Sequence, residues 1–165
     1  MEIITIPVGY LKANCYLLNN NNQTLIIDPG DEANKIIAAI KYPVVGILIT
    51  HNHSDHIGAL KEIQSRYNAP VNNYELINFP FQVIPTPGHT KDSKTFYFSK
   101  DKIMFTGDFL FLDDIGRTDL PGGSPSEMIS SLKKIAIYPD DIKIYPGHDR
   151  STILGHEKNN FNLYY

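Results

Sequence analysis

The sequence predicts an α/β fold with two central mixed β-sheets flanked by helices. Three observations predict it. Short apolar runs rich in Ile, Val, Leu and aromatic residues recur along the chain, separated by segments of helical period. No domain linker, heptad run or low-complexity tract interrupts them. Four of the runs lead into a residue able to bind a metal, which suits α/β architectures, where ligand sites gather at the carboxyl ends of strands.

In chain order, strands are expected near 2–6, 13–18 and 24–28, with Asn19 to Asn22 as the turn between the last two. Residues 31–41 read as a helix because Ile36, Ile37 and Ile40 share one face. The run 44–50 is a buried strand; a helix over 57–67 follows, then strands near 81–85, 94–98 and 103–106. Ser124-Pro125-Ser126-Glu127 is a capping box, with Pro at the first helical position and Glu reaching back. It opens a helix from Met128 to Ile137, which Tyr138-Pro139-Asp140-Asp141 ends before a last strand over Ile142 to Tyr145. A short terminal helix follows around Ile153 to Lys158.

Composition narrows the function classes. A chain of 165 residues is expected to form one domain that buries about 70% of its unfolded surface. A net charge of −3 with both signs scattered argues against nucleic acid as a partner. No apolar stretch approaches membrane-spanning length, and Met1-Glu2-Ile3-Ile4-Thr5 lacks a basic signal-peptide start, so no membrane partner is expected. The single cysteine, Cys15, excludes an internal disulfide and fits a reducing cytoplasm. Its flanks Tyr16-Leu17-Leu18 place it in a buried strand, with no activating partner evident for a nucleophile.

The segment His51-Asn52-His53-Ser54-Asp55-His56 lies between the strand over 44–50 and the helix over 57–67. Four potential ligands in one tight loop, with no Cys among them, suit a borderline cation such as zinc that keeps a position open for water. His89 and His148 each follow a Pro-Gly turn after a strand, and Asp108 follows Thr106-Gly107 after another. Taken singly, a Pro-Gly-His or a Gly-Asp is more often an ordinary surface turn. Their joint occurrence, each after a strand, makes a converging set of seven the stronger reading: His51, His53, Asp55, His56, His89, Asp108 and His148. His156 fits no such pattern and reads as non-ligating.

His51-x-His53-x-Asp55-His56 followed by His89, Asp108 and His148 resembles the metallo-β-lactamase fold superfamily, from Asn14-Cys15-Tyr16 to the C-terminus. Thr106 to Phe111, Gly116 to Ser124, and Pro146-Gly147-His148 with Thr152-Ile153 and Glu157-Lys158 are similar to the glyoxalase II branch, especially its single-domain bacterial members. The resemblance implies an αββα sandwich. It also implies that Asp28, in Asp28-Pro29-Gly30, is structural rather than a ligand. It implies two divalent metal ions, zinc first, with iron or manganese as alternatives. His51, His53 and His89 would bind one; Asp55, His56 and His148 the other; Asp108 would bridge both. Two such ions lower the pKa of a shared water to about 7 or below, giving hydroxide at neutral pH. Asp55 would orient it and take its proton. A small-molecule thioester suits the site because a thiolate leaves easily, with a thiol pKa of about 8.5.

Arg117 is a candidate substrate contact, since guanidinium pairs with carboxylate; the favoured alternative is a pair with Asp119 or a nearby acid. Tyr10 is a weaker candidate for the substrate wall, and a surface tyrosine is the favoured reading. The stretch from Pro70 to Phe81 is short for this branch, and the helical C-terminal domain that holds glutathione in two-domain relatives is not expected. Asp92 and Asp149 stand where Gly is usual, Asp92 in a turn expected to have positive φ. The leading expectation is a dinuclear thioester hydrolase of the hydroxyacylglutathione type, with S-D-lactoylglutathione as type substrate. A persulfide dioxygenase using one iron on His51, His89 and Asp108 is the alternative, followed by a lactonase or related hydrolase and by a non-catalytic metal-binding module.

Overall fold

Strand β1 (Glu2–Val8) pairs antiparallel with β2 (Ala13–Asn20), and β2 pairs antiparallel with β3 (Gln23–Ile27). A helix, α1 (Ala33–Ala39), carries the chain back so that β4 (Val44–Leu48) lies parallel to β3, giving the order β1-β2-β3-β4. Strand β2 is buried from Ala13 to Asn19 on both faces, which is why its sequence reads as a continuous run instead of alternating. Its Cys15 and Leu17 pack with Ile26, Ile36, Ile47 and Ile63 in one apolar core. This computed structural model describes residues 1–164, and the elements above belong to the first of two compact units, Met1–Phe81.

The second unit begins at Gln82 and repeats the construction. Strands β5 (Gln82–Pro85), β6 (Lys94–Phe98) and β7 (Ile103–Gly107) form an antiparallel meander. The helix α4 (Pro125–Ile135) then sets β8 (Lys143–Pro146) parallel to β7, and β9 (Thr152–Ile153) pairs antiparallel at the edge. Met128, Leu132 and Ile135 of α4 pack with Met104, Ile144 and Leu154 in this unit's core. Each unit therefore holds one mixed sheet whose parallel pair spans a helical crossover. Among the described residues no helix is long and apolar enough to cross a membrane.

Four local expectations change. The helix expected over 57–67 is broken into α2 (Ser54–Ile57) and α3 (Leu60–Tyr67). At the break the Ala59 N–H donates to the Pro29 carbonyl at 3.1 Å instead of continuing the helix. The capping box at Ser124 forms by half. Ser124 Oγ accepts from the Glu127 N–H at 3.3 Å, while the Ser124 N–H donates to the Gly88 carbonyl at 2.8 Å in place of the Glu127 side chain. Asp92 is not among the positive-φ residues, whereas Asp149 has φ 61°. Finally, β9 precedes α5 (Leu154–Lys158), and its two residues leave no periodicity to read.

Truncating Leu132, fully buried in α4, should cost about 2–5 kcal/mol through lost transfer energy and a residual cavity. Urea unfolding of Leu132→Ala measures it; a loss below about 1 kcal/mol would place this helix outside the load of the core.

Candidate metal centre

The first ligand-bearing loop follows β4 directly and is held from behind by Asp28. Asp28 ends β3 in a left-handed conformation, φ 51°, and is 1% exposed. Its Oδ1 accepts from the Thr50 N–H at 2.8 Å, and its Oδ2 accepts from Thr50 Oγ1 at 2.6 Å. His56 Nδ1 lies 2.9 Å from the same Oδ2. A carboxylate only accepts, so His56 carries its proton on Nδ1 and turns a lone pair outward on Nε2. Thr50 Oγ1, having donated to Asp28, accepts from His51 Nδ1 at 3.1 Å, which fixes His51 in the same tautomer. Metal-binding histidines are ordinarily oriented in this way, through the ring nitrogen that does not bind.

Ahead of this support, His51 Nε2 lies 3.1 Å from His53 Nδ1, and His56 Nε2 lies 3.6 Å from Asp55 Oδ2. The loop is compressed against the Asp28-Pro29-Gly30 turn: a Cβ at Gly30 would stand 1.7 Å from the Asp55 carbonyl oxygen, so no other residue fits. Asp55 also lines a cleft of about 330 Å³ whose wall includes Val8, Tyr10, Leu11, Gly30 and Asp31. Tyr10 is 96% exposed there.

The second unit presents the other three candidates. His89 donates through Nδ1 to the Arg117 carbonyl at 2.8 Å, which again leaves Nε2 to bind. That Nε2 is 3.6 Å from Asp108 Oδ2, and His148 Nε2 is 3.5 Å from the same oxygen. Such separations are long for hydrogen bonds. They match the edge of a tetrahedron with metal–ligand bonds of 2.0–2.1 Å, about 3.4 Å. The donor set and its spacing in both units thus fit divalent metal ions. A Cβ at Gly116 would lie 1.8 Å from the Asp108 carbonyl, so glycine is required where this loop folds back.

The side chain of Arg117 is engaged by Asp119 through two 2.7 Å hydrogen bonds, and this exposed pair pulls the Asp119 pKa down to about 2. It is the main-chain carbonyl of Arg117 that reaches His89, a role invisible to a reading of side-chain types. Thr50 was missed too, although a hydroxyl ending an apolar run just before His51 is a usable signal. Cys15 is buried, and desolvation, then the charge of Asp28, raises its thiol pKa well above the ordinary value. A thiol so placed stays protonated and unreactive. His156 pairs with Asp113 at 2.6 Å.

Two expectations follow. Asp28→Asn presents an amide N–H where His56 now finds an acceptor. It should flip that tautomer, lowering metal affinity about 10–100-fold in a chelator competition while the circular dichroism is kept. Unchanged affinity would remove His56 Nε2 from the ligand set. For His156, the hydrogen bond and charge of Asp113, then the charge of Glu157, raise the pKa above its ordinary 6.5. A raised folded-state pKa stabilises fully below the ordinary value and fades as pH rises through the raised one. His156→Ala should therefore lower the unfolding midpoint most near pH 5 and least near pH 9, without changing metal content.

Comparison with known proteins places this geometry. The family model described as the metallo-beta-lactamase superfamily matches residues 8–76 and 73–148. A probable metallo-hydrolase of Streptococcus pyogenes is 32% identical over 88% of this chain and 83% of its own. A hydroxyacylglutathione hydrolase of Haemophilus influenzae is 30% identical over 96% of this chain and 95% of its own. Among solved structures, the BLEG-1 B3 metallo-beta-lactamase superposes with a TM-score of 0.92 at 29% identity, covering 99% of each chain. With its two mixed sheets and a family model matching most of its length, the chain belongs to the metallo-beta-lactamase superfamily and has its fold.

Proposed function

We propose that the protein is a metal-dependent hydrolase of small-molecule thioesters, of the hydroxyacylglutathione hydrolase kind. In this reading His51, His53 and His89 hold one divalent ion, Asp55, His56 and His148 hold the second, and Asp108 serves both. The observation that carries it is the setting of Asp108, whose Oδ2 is approached at 3.6 and 3.5 Å by the binding nitrogens of His89 and His148. The Haemophilus influenzae relative supports the substrate class. Bound ions would supply an activated water at neutral pH and a Lewis acid for the carbonyl oxygen.

The chain's own groups complete the chemistry. Asp55, with its side chain 23% exposed, lines the open cleft, where its carboxylate would orient the attacking water and take its proton. The thiol of the product has a pKa of about 8.5, so the leaving thiolate needs no proton from the protein. Tyr10 and Leu11, exposed on the cleft wall, offer apolar surface to an acyl group. The guanidinium of Arg117 would meet a substrate carboxylate only by leaving Asp119. The segment leading to β5 turns onto its own unit, with Asn78 accepting from Asn20 and Asn21 and donating to Gln23. With the stretch from Pro70 to Phe81 short, few residues remain to grip the thiol carrier.

Metal analysis beside a thioester assay tests the reading. The purified protein should hold about two metals per chain, Asp108→Ala should lower both, and Asp55→Asn should depress kcat far more than it raises KM. S-D-lactoylglutathione should be preferred over the same acyl group on a smaller thiol by less than about tenfold, or 1.4 kcal/mol. A single bound iron with oxygen uptake from glutathione persulfide, and no thioester hydrolysis, would move the assignment to a dioxygenase.

A further inference from the structure

Glu157 is a buried carboxylate that the proposed chemistry does not use. It lies on α5, is 1% exposed, and spends both oxygens on two different loops. Oε2 accepts from the Asp113 N–H at 2.9 Å, and Oε1 accepts from Thr152 Oγ1 at 2.5 Å. Asp113 is the tip of the loop that leaves Asp108, and it holds a left-handed φ of 60°. Thr152 opens β9, at the end of the loop that carries His148. One carboxylate therefore ties together the two loops whose ligand atoms, Asp108 Oδ2 and His148 Nε2, stand 3.5 Å apart.

The path from this brace to the ligands is short. The loop after Asp108 folds on itself: Thr106 Oγ1 donates to the Leu110 carbonyl at 2.8 Å, the Phe111 N–H to Asp114 at 2.9 Å, and the Gly116 N–H to Phe109 at 3.2 Å. These three bonds close residues 106–116 into one compact loop. Its Phe111 ring lies beside the His148 imidazole, with centroids 6.2 Å apart. A shift at Asp113 would therefore have a route to His148 through Phe111 and to Asp108 through the loop's own hydrogen bonds. Burying a carboxylate is costly unless charge-assisted hydrogen bonds satisfy it, so losing either loop's donor would leave part of that cost uncompensated.

We propose that Glu157 is a positioning residue for the metal centre, setting the separation of Asp108 and His148 from behind. This rests on the reading of those two residues as metal ligands. Glu157→Ala should weaken metal affinity about tenfold in chelator competition, the low end for a residue supporting ligands from outside. Glu157→Gln should return it to within about threefold, because the amide oxygen keeps the Asp113 N–H and its NH₂ can donate to Thr152 Oγ1. Thr152→Val, which removes one of the two bonds and is milder to the fold, should fall between.

Leu132→Ala separates positioning from general loss of stability. It removes apolar packing from the core that Leu132 shares with Phe109 and Leu110 but none of the Glu157 hydrogen bonds, and should lower the unfolding midpoint while weakening metal affinity less than Glu157→Ala does. A Glu157→Ala affinity no weaker than that of Leu132→Ala, or an unchanged Thr152→Val, overturns the proposal and leaves the metal reading intact. A Gln variant as weak as Ala overturns the bracing geometry in favour of the charge. Wild-type protein that binds no metal overturns both readings together.

Discussion

The acceptance of two Thr50 hydrogen bonds and one His56 hydrogen bond by the buried Asp28 carboxylate is the interaction on which the site depends. It does three things at once. It closes the carboxyl end of the parallel β3–β4 pair. It satisfies the Thr50 N–H where the strand's own ladder has ended. It also sets protons on the far sides of His51 and His56, so that both rings offer a lone pair on Nε2. Without that proton placement, the same six residues would be a polar loop with a random choice of tautomers.

Close backbone packing then decides where the candidate ligands point. Gly30 lies against the Asp55 carbonyl and Gly116 against the Asp108 carbonyl, both at distances that exclude a Cβ. In each unit a tight loop is thus pressed against the backbone of another part of the chain, which limits how far the candidate ligands can swing. That rigidity matches the 3.5–3.6 Å spacings around Asp108 Oδ2, since a site that must bind a small cation gains affinity when its donors are already spaced for it.

Much of this was legible in the sequence because it is written in residue type and order. The strands read from apolar runs, and the ligand candidates read from their place after those runs: His51 after β4, His89 after β5, Asp108 after β7 and His148 after β8. What escaped was carried by the main chain or by distant partners. Nothing in the periodicity of 57–67 reveals that the Ala59 N–H turns to Pro29, or that the Ser124 N–H is taken by Gly88 before Glu127 can reach it. The Arg117 side chain drew attention, but its carbonyl does the positioning. Asp92 was expected at positive φ by analogy with glycine; Asp149 is the one that adopts it.

Glu157 was unreadable for a related reason. In sequence it is a polar residue in a short helix, and only the fold brings Asp113 and Thr152 to it. Set beside Asp28 it has a clear logic. Both are buried acids on which a backbone N–H and a threonine hydroxyl converge: Thr50 N–H and Oγ1 for Asp28, Asp113 N–H and Thr152 Oγ1 for Glu157. A carboxylate can accept several hydrogen bonds, so one small group can gather donors from separate loops. Those donors offset the cost of burying the charge. Each unit therefore uses one kind of acid to hold its loops and sets another, Asp55 or Asp108, among its candidate ligand atoms. The same side-chain chemistry thus serves structure where donors from separate loops converge on it, and is offered to a cation where imidazole nitrogens stand 3.5–3.6 Å away.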